Sequence, residues 1–118
     1  MRIDKDLVAA SATPLVLGIL AQDGSSYGYA ILKRVREVSG GELEWTDGML
    51  YPLLHRLERL GQVRASWQTS EEGRRRKHYA LTDTGRQMLA DRQSQWAVVS
   101  AALERILNAS PPQPQGAP

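Results

Sequence analysis

The stretch from Thr46 to Leu60, TDGMLYPLLHRLERL, constrains the fold more than any other part of the chain. Wound at about 100° per residue, it puts Leu50, Leu53, Leu54, Leu57 and Leu60 on one stripe, the spacing of a helix with one buried face. Gly48, Tyr51, Pro52, His55, Arg56 and Arg59 fall opposite, on a face that is basic, aromatic and nearly free of acids. Thr46 stands where an N-cap is needed, Trp45 and Leu50 occupy the positions of a hydrophobic staple, and Gly61 provides the stop. Pro52 conflicts with this pattern, because it has no N–H to give to the Gly48 carbonyl and its ring presses on that group. Either the first turn is distorted, helped by the bare Gly48, or the regular helix begins at Pro52; both leave Tyr51, His55 and Arg59 facing outward. A solvated helix face often carries arginines for no functional reason. The weight of this one therefore depends on what surrounds it.

At 118 residues the chain makes one domain with a modest core, smaller than a typical enzyme. Fifteen Lys and Arg against thirteen Asp and Glu leave a net charge of only +2, so a polyanionic partner must be argued from where the cations lie. There is no cysteine, which removes disulfides, thiol nucleophiles and thiolate metal sites and fits a reducing compartment. The two histidines, His55 and His78, stand far apart in the chain and make a poor metal site, and no cofactor is expected. No apolar run approaches the ~20 residues of a membrane span, and the N-terminus lacks the apolar core of a signal peptide. The expectation is a cytoplasmic protein.

Before the central helix, residues 4–11 read as a short amphipathic helix showing Leu7 and Val8, and Thr13-Pro14 reads as N-cap and first residue of a fresh start into LVLGILAQ. One kinked helix and two separate ones fit this pattern equally. Asp23-Gly24-Ser25-Ser26 is a turn. A second helix is expected from Tyr27 to Ser39, capped by Ser25 or Ser26 and stopped by Gly40-Gly41, with Tyr27, Ile31, Val35 and Val38 inward and Lys33, Arg34 and Arg36 away from them. Two amphipathic helices joined by a short connection, the second basic on its outer face, outline a helix-turn-helix.

After Gly61 the period changes to two. Val63, Ala65 and Trp67 alternate with polar residues, as do Tyr79 and Leu81 beyond the polar stretch TSEEGRRR, so a two-stranded hairpin with a long tip is expected. A hairpin after a helix-turn-helix is a wing, and this one carries Arg74, Arg75, Arg76 and Lys77 in succession. Such a run is usually a solvated loop. Beside an exposed basic helix it reads as a phosphate clamp.

Thr82 caps a final helix expected to reach Asn108, roughly 39 Å long, more than a domain of this size can cover. Leu89, Trp96, Val99, Leu103 and Ile106 follow the three-four spacing of a coiled-coil seam, with Arg92 in one slot. A homodimer is the simplest way to bury that seam, although part of it can pack on the chain's own N-terminal segment, where Leu7 and Val8 are further interface candidates. The fold class is thus mainly α with a small β-wing. Residues 1–82 form the winged helix-turn-helix, 83–108 the dimerisation helix, and 109–118 a disordered tail.

These pieces together resemble the PadR family of winged helix-turn-helix transcriptional regulators, in its small members with a single C-terminal dimerisation helix. YGYAILKRV at 27–35, GGELEWTDGMLYPLLHRLERLG at 40–61 and EEGRRRKHYALTDTG at 71–85 carry the likeness. The resemblance implies a homodimeric repressor that binds an inverted-repeat operator and releases it when a small effector binds. It also implies that the Thr46–Leu60 helix enters the major groove, and that Tyr51 and the wing cations meet DNA.

On that reading Arg74, Arg75, Arg76 and Lys77, with Lys33 and Arg34, supply affinity through phosphates. Base edges fall to Arg59 or Arg56 and to His55, Tyr51 meets either a phosphate or a thymine methyl, and Thr46, Gly48 and Pro52 lie at the same surface. Trp96, at the dimer seam with Leu89 and Val99 near it, is a candidate platform for a flat hydrophobic effector, and equally an ordinary interface filler. Trp67 is expected in the core or closing the same cavity. A winged-helix module that docks an acidic protein instead of DNA is the competing class. An enzyme is not expected, since no nucleophile elbow, metal motif or glycine-rich phosphate loop is visible, and the adjacent Glu71 and Glu72 sit at a polar hairpin tip with no apolar surroundings.

Overall fold

The computed structural model describes residues 1–112 and runs α1 (Lys5–Asp23), β1 (Ser26–Tyr27), α2 (Gly28–Val38), α3 (Asp47–Arg59), β2 (Val63–Thr69), β3 (Arg75–Leu81) and α4 (Asp83–Leu107). It is mainly helical, with a small antiparallel sheet in the order β1-β3-β2. Of the expected tail, residues 113–118 lie outside the described residues.

The fresh start at Thr13-Pro14 does not occur: α1 is one helix with Pro14 inside it. The carbonyl that Pro14 leaves without a donor belongs to Ala10, which is exposed, so water can satisfy it. Beyond Pro14, Val16, Leu17, Ile19 and Leu20 enter the core, and burial of that run outweighs one lost hydrogen bond.

The second helix begins one residue late. Tyr27 keeps an extended backbone (φ −130°, ψ 167°) and pairs with His78, while Ser26 pairs with Tyr79, so the hairpin gains a third, two-residue strand. Neither serine caps α2. Tyr27 therefore leaves the inward face it was assigned, and Val38 is 49% exposed at the helix end, while Ile31 and Val35 are fully buried as expected.

Helix α3 matches its expected span. Thr46 takes the N-cap position and its carbonyl accepts from the Met49 and Leu50 amides, but its side chain makes no capping bond. Pro52 does not delay the start. The helix runs through it from Asp47, with Gly48 and Pro52 both on the exposed face, where the freed carbonyl meets water. Trp45, Leu50, Leu54 and Leu57 are buried and Leu53 packs at their margin. Leu60 is the exception: it follows the last helical residue and is 52% exposed, because the chain turns at Gly61 (φ 71°) before Leu60 can reach the core.

Strands β2 and β3 pair from Val63↔Leu81 out to Thr69↔Arg75, so the tip is shorter than the polar stretch suggested. It is a turn in which the Arg74 amide donates to Ser70 Oγ and Gly73 takes φ 82°. Arg75, Arg76 and Lys77 thus belong to a strand and point alternately to its two faces. Thr82 caps α4 as expected, its hydroxyl donating to the Gly61 carbonyl and accepting from the Gly85 amide at 3.0 Å.

The first turns of α4 pack on α1 and the sheet, then the helix leaves the core. Met88, Leu89 and Trp96 are half-buried, whereas Val99, Leu103 and Ile106 on the same stripe are 50%, 52% and 71% exposed. The radius of gyration, 18.9 Å, exceeds the ~13.5 Å of a compact chain of this length, as a projecting helix requires. No helix among the described residues is long and apolar enough to cross a membrane.

Candidate nucleic-acid interface

The outward face of α3 is as free as its spacing implied. Thr46, Gly48, Tyr51, Pro52, His55, Arg56 and Arg59 are all exposed. The buried leucines behind them hold the helix against α2 and β2, so the orientation of this face is set by the core.

The wing stands beside it. Between them lies a groove of about 730 Å³ lined by Tyr27, Gly28, Tyr29, Tyr51, His55, Trp67, Arg74, Arg75, Arg76, Lys77 and Tyr79. The structure therefore brings together six residues that sequence reasoning had singled out for DNA contact: Tyr51 and His55 from α3, and all four wing cations. Arg59 and Arg56 are not in the groove. Arg56 lines a separate hollow with Lys5, Met49 and Leu53.

The four cations are not equivalent. Arg74 stands exposed at the turn, and Arg75, also exposed, lies over the Trp67 ring at 5.0 Å. Arg76 lies 4.5 Å from the Tyr27 ring centroid, and Lys77 Nζ sits 3.4 Å from Glu58 Oε1. That last pair is partly exposed and is worth only a few tenths to about 1 kcal/mol, but it spends part of the Lys77 charge inside the protein and ties the wing to α3. On α2, Lys33 is exposed. Arg34 is engaged elsewhere, donating to Asp23 Oδ2 at 3.0 Å and to Gln22 Oε1 at 3.3 Å, and it does not line the groove.

Two residues missed in the sequence shape the site. Gly28 is buried against Tyr51, whose ring and hydroxyl occupy the space that a Cβ at Gly28 would need. A side chain there would push Tyr51 off its position. The signal was the YGY triplet, a glycine between two tyrosines at a helix start, where both rings turn out to line the groove. Tyr79 forms the groove floor. It is 1% exposed, and burial raises its pKa above the ordinary tyrosine value while neighbouring Lys77 opposes the shift.

Trp67 is neither core nor part of the Trp96 cavity: it is 59% exposed and lines the wing groove. The reason is length, since β2 runs outward past the helices that cover Val63. Trp96 and Leu89 line a different, apolar groove of about 510 Å³ between α1 and α4, with Ser11, Pro14, Leu15, Gly18, Leu43 and Gln93. Val99 lies beyond it, so the four effector candidates do not meet in one groove of the chain. Of the other interface candidates, Leu7 is 55% exposed and Val8 packs against the core. Among the described residues no three His, Cys, Asp or Glu side chains are grouped as a metal site would need.

Known structures share this fold. A PadR family transcriptional regulator from Eggerthella lenta is 28% identical, covers 89% of this chain and 88% of its own, and superposes with a TM-score of 0.75. A PadR family transcription regulator from Clostridium difficile is 29% identical over 83% of this chain and 99% of its own, with a TM-score of 0.74. A PadR-like transcriptional regulator from Bacillus cereus, 24% identical over 90% of this chain and all of its own, shares the fold with a TM-score of 0.79. Members of this family are regulators, not enzymes. Since residues 16–91 match the PadR-like family model, which takes in α3, the wing and the start of α4, the chain belongs to the PadR-like family of transcriptional regulators.

Proposed function

We propose that the protein is a homodimeric, cytoplasmic repressor that grips an inverted-repeat operator with two copies of α3 and two wings. The observation that carries this reading is the juxtaposition of Tyr51 and His55 on α3 with Arg74, Arg75, Arg76 and Lys77 across one groove. A helix face with hydrogen-bonding and cationic groups suits a major groove, and an adjacent cationic hairpin suits the flanking phosphates. Residues 1–82 act as the binding unit and 83–108 as the dimerisation helix. Arg59, Arg56, His55 and Tyr51 read base edges, with Thr46, Gly48 and Pro52 beside them; Lys33 adds a phosphate contact, while Arg34 contributes less because Asp23 already holds it. Two half-sites about 34 Å apart follow from twofold symmetry.

The test is fluorescence anisotropy with random-sequence duplex at increasing salt. Arg75→Ala is expected to weaken binding to every sequence and to flatten the dependence of log K on log salt by about one for each protomer. An unchanged slope refutes the wing as clamp. A wild-type dimer that ignores random duplex at low salt points instead to a module for acidic protein partners.

The same reading includes a small, flat, hydrophobic effector on Trp96, supported by the apolar groove that Trp96, Leu89, Leu15 and Pro14 line. The bare stripe from Val99 to Ile106 suits a second copy of α4. Planar aromatics are expected to quench tryptophan fluorescence, and Trp96→Ala to weaken their binding at least tenfold, about the worth of one well-packed aromatic contact. Equal binding by the variant removes Trp96 as the platform.

A further inference from the structure

The three tryptophans occupy three different environments. Trp45 is buried and Trp96 is half-covered, but Trp67 is 59% exposed on a strand where solvent reaches most of its ring. Its setting is ordered. Trp67 stands opposite Lys77 in the β2–β3 register, and the Arg75 guanidinium lies over its ring at 5.0 Å. Tyr51 and His55 of α3 line the groove along with it, and no carboxylate is among the lining residues.

We propose that Trp67, with Arg75 stacked on it, is a duplex-contacting wall of this groove and takes one sugar–phosphate strand as it passes between α3 and the wing. This rests on the DNA-binding reading above and extends it to a residue outside the run of cations. A sugar–phosphate strand alternates apolar deoxyribose faces with anionic phosphates. The indole offers a flat apolar surface for the first and an N–H donor for the second, and the stacked guanidinium presents its donors in a fixed plane. An acidic peptide would use the cations and leave the indole and the tyrosines of the groove without a role. The Lys77–Glu58 contact ties the wing to α3 at one point beside the groove.

The full chain labelled with 5-fluorotryptophan gives a direct readout. The ¹⁹F resonance absent from Trp67→Phe identifies Trp67, and it is expected to shift or broaden on addition of random-sequence duplex more than that of buried Trp45. If it stays unmoved while anisotropy shows the duplex bound, Trp67 is a bystander and only this proposal fails. If no duplex binds the wild type, both readings fail together. Affinity supplies an independent arm: Trp67→Ala should lower it about tenfold, and its loss should not multiply with that of Arg75→Ala in the double variant. Fully multiplicative losses would show that the stack is not the contact.

Discussion

Gly85→Ala is expected to destabilise the fold by about 3 kcal/mol, the upper end of the cost of overpacking, and to lower the melting temperature by roughly 10–15 °C. Gly85 is buried in the first turn of α4, and the position a Cβ would take overlaps the Gln62 carbonyl and a methyl of Leu81. Gln62 presents backbone there, so no rotamer change relieves the overlap. The carbonyl is held in turn, accepting from the Thr82 amide at 3.2 Å, while Thr82 Oγ1 bonds the Gly61 carbonyl and caps α4 through the Gly85 amide. An alanine must therefore tilt α4 or break the knot that joins the end of α3 to the start of α4. Gly18→Ala is the control, since its nearest neighbour would be Leu89 Cδ1 at 4.0 Å; with space available, an alanine inside α1 should stabilise by about 0.5–1 kcal/mol. Denaturant midpoints at one fixed protein concentration test both. A Gly85→Ala protein within 1 kcal/mol of wild type would mean that the α3–α4 junction yields easily.

On the proposed dimer, Leu103→Glu is expected to halve the solution mass to that of the 13.1 kDa subunit and to reduce duplex affinity by at least a hundredfold. Leu103 is 52% exposed in the protomer and lies beyond the part of α4 that touches α1, so the charge should leave the winged portion folded and its helical circular dichroism intact. In a dimer the same charge would be forced into an apolar seam beside Val99 and Ile106, where an unpaired carboxylate is strongly disfavoured. The affinity falls because two linked half-sites bind as one intramolecular event, and a monomer loses the second. Light scattering coupled to size exclusion reads the mass. A variant that stays dimeric shows that this stripe is not the seam, and a wild type running at one subunit removes the dimer altogether.

Sequence patterns located much of the candidate site because its parts are local. The outward set on α3 follows from helical geometry once the leucine stripe is seen, and Pro52 did not disturb it because its orphaned carbonyl faces water. The wing cations form a contiguous run. The role of Gly28 and the placement of Trp67 were out of reach of such reasoning: Gly28 matters through a tyrosine on another helix, and Trp67 through how far β2 outruns the layer behind it. Arg34 and Lys77 looked like free cations in the sequence and proved to be paired with Asp23 and Glu58, which no linear spacing announces.

The same division holds across the fold. Periodicity, caps and glycine stops determined which stretches are helices, where α4 begins and that a hairpin follows Gly61, since these depend on neighbours within a turn or two of the chain. Only the packed molecule decided that α1 runs unbroken through Pro14, that Tyr27 leaves α2 to make a third strand with His78, and that Leu60 and Val38 miss the core. Each of those outcomes weighs a local preference of about one hydrogen bond or one cap against burial and strand pairing with residues far away in the chain, and the larger, non-local energy prevails.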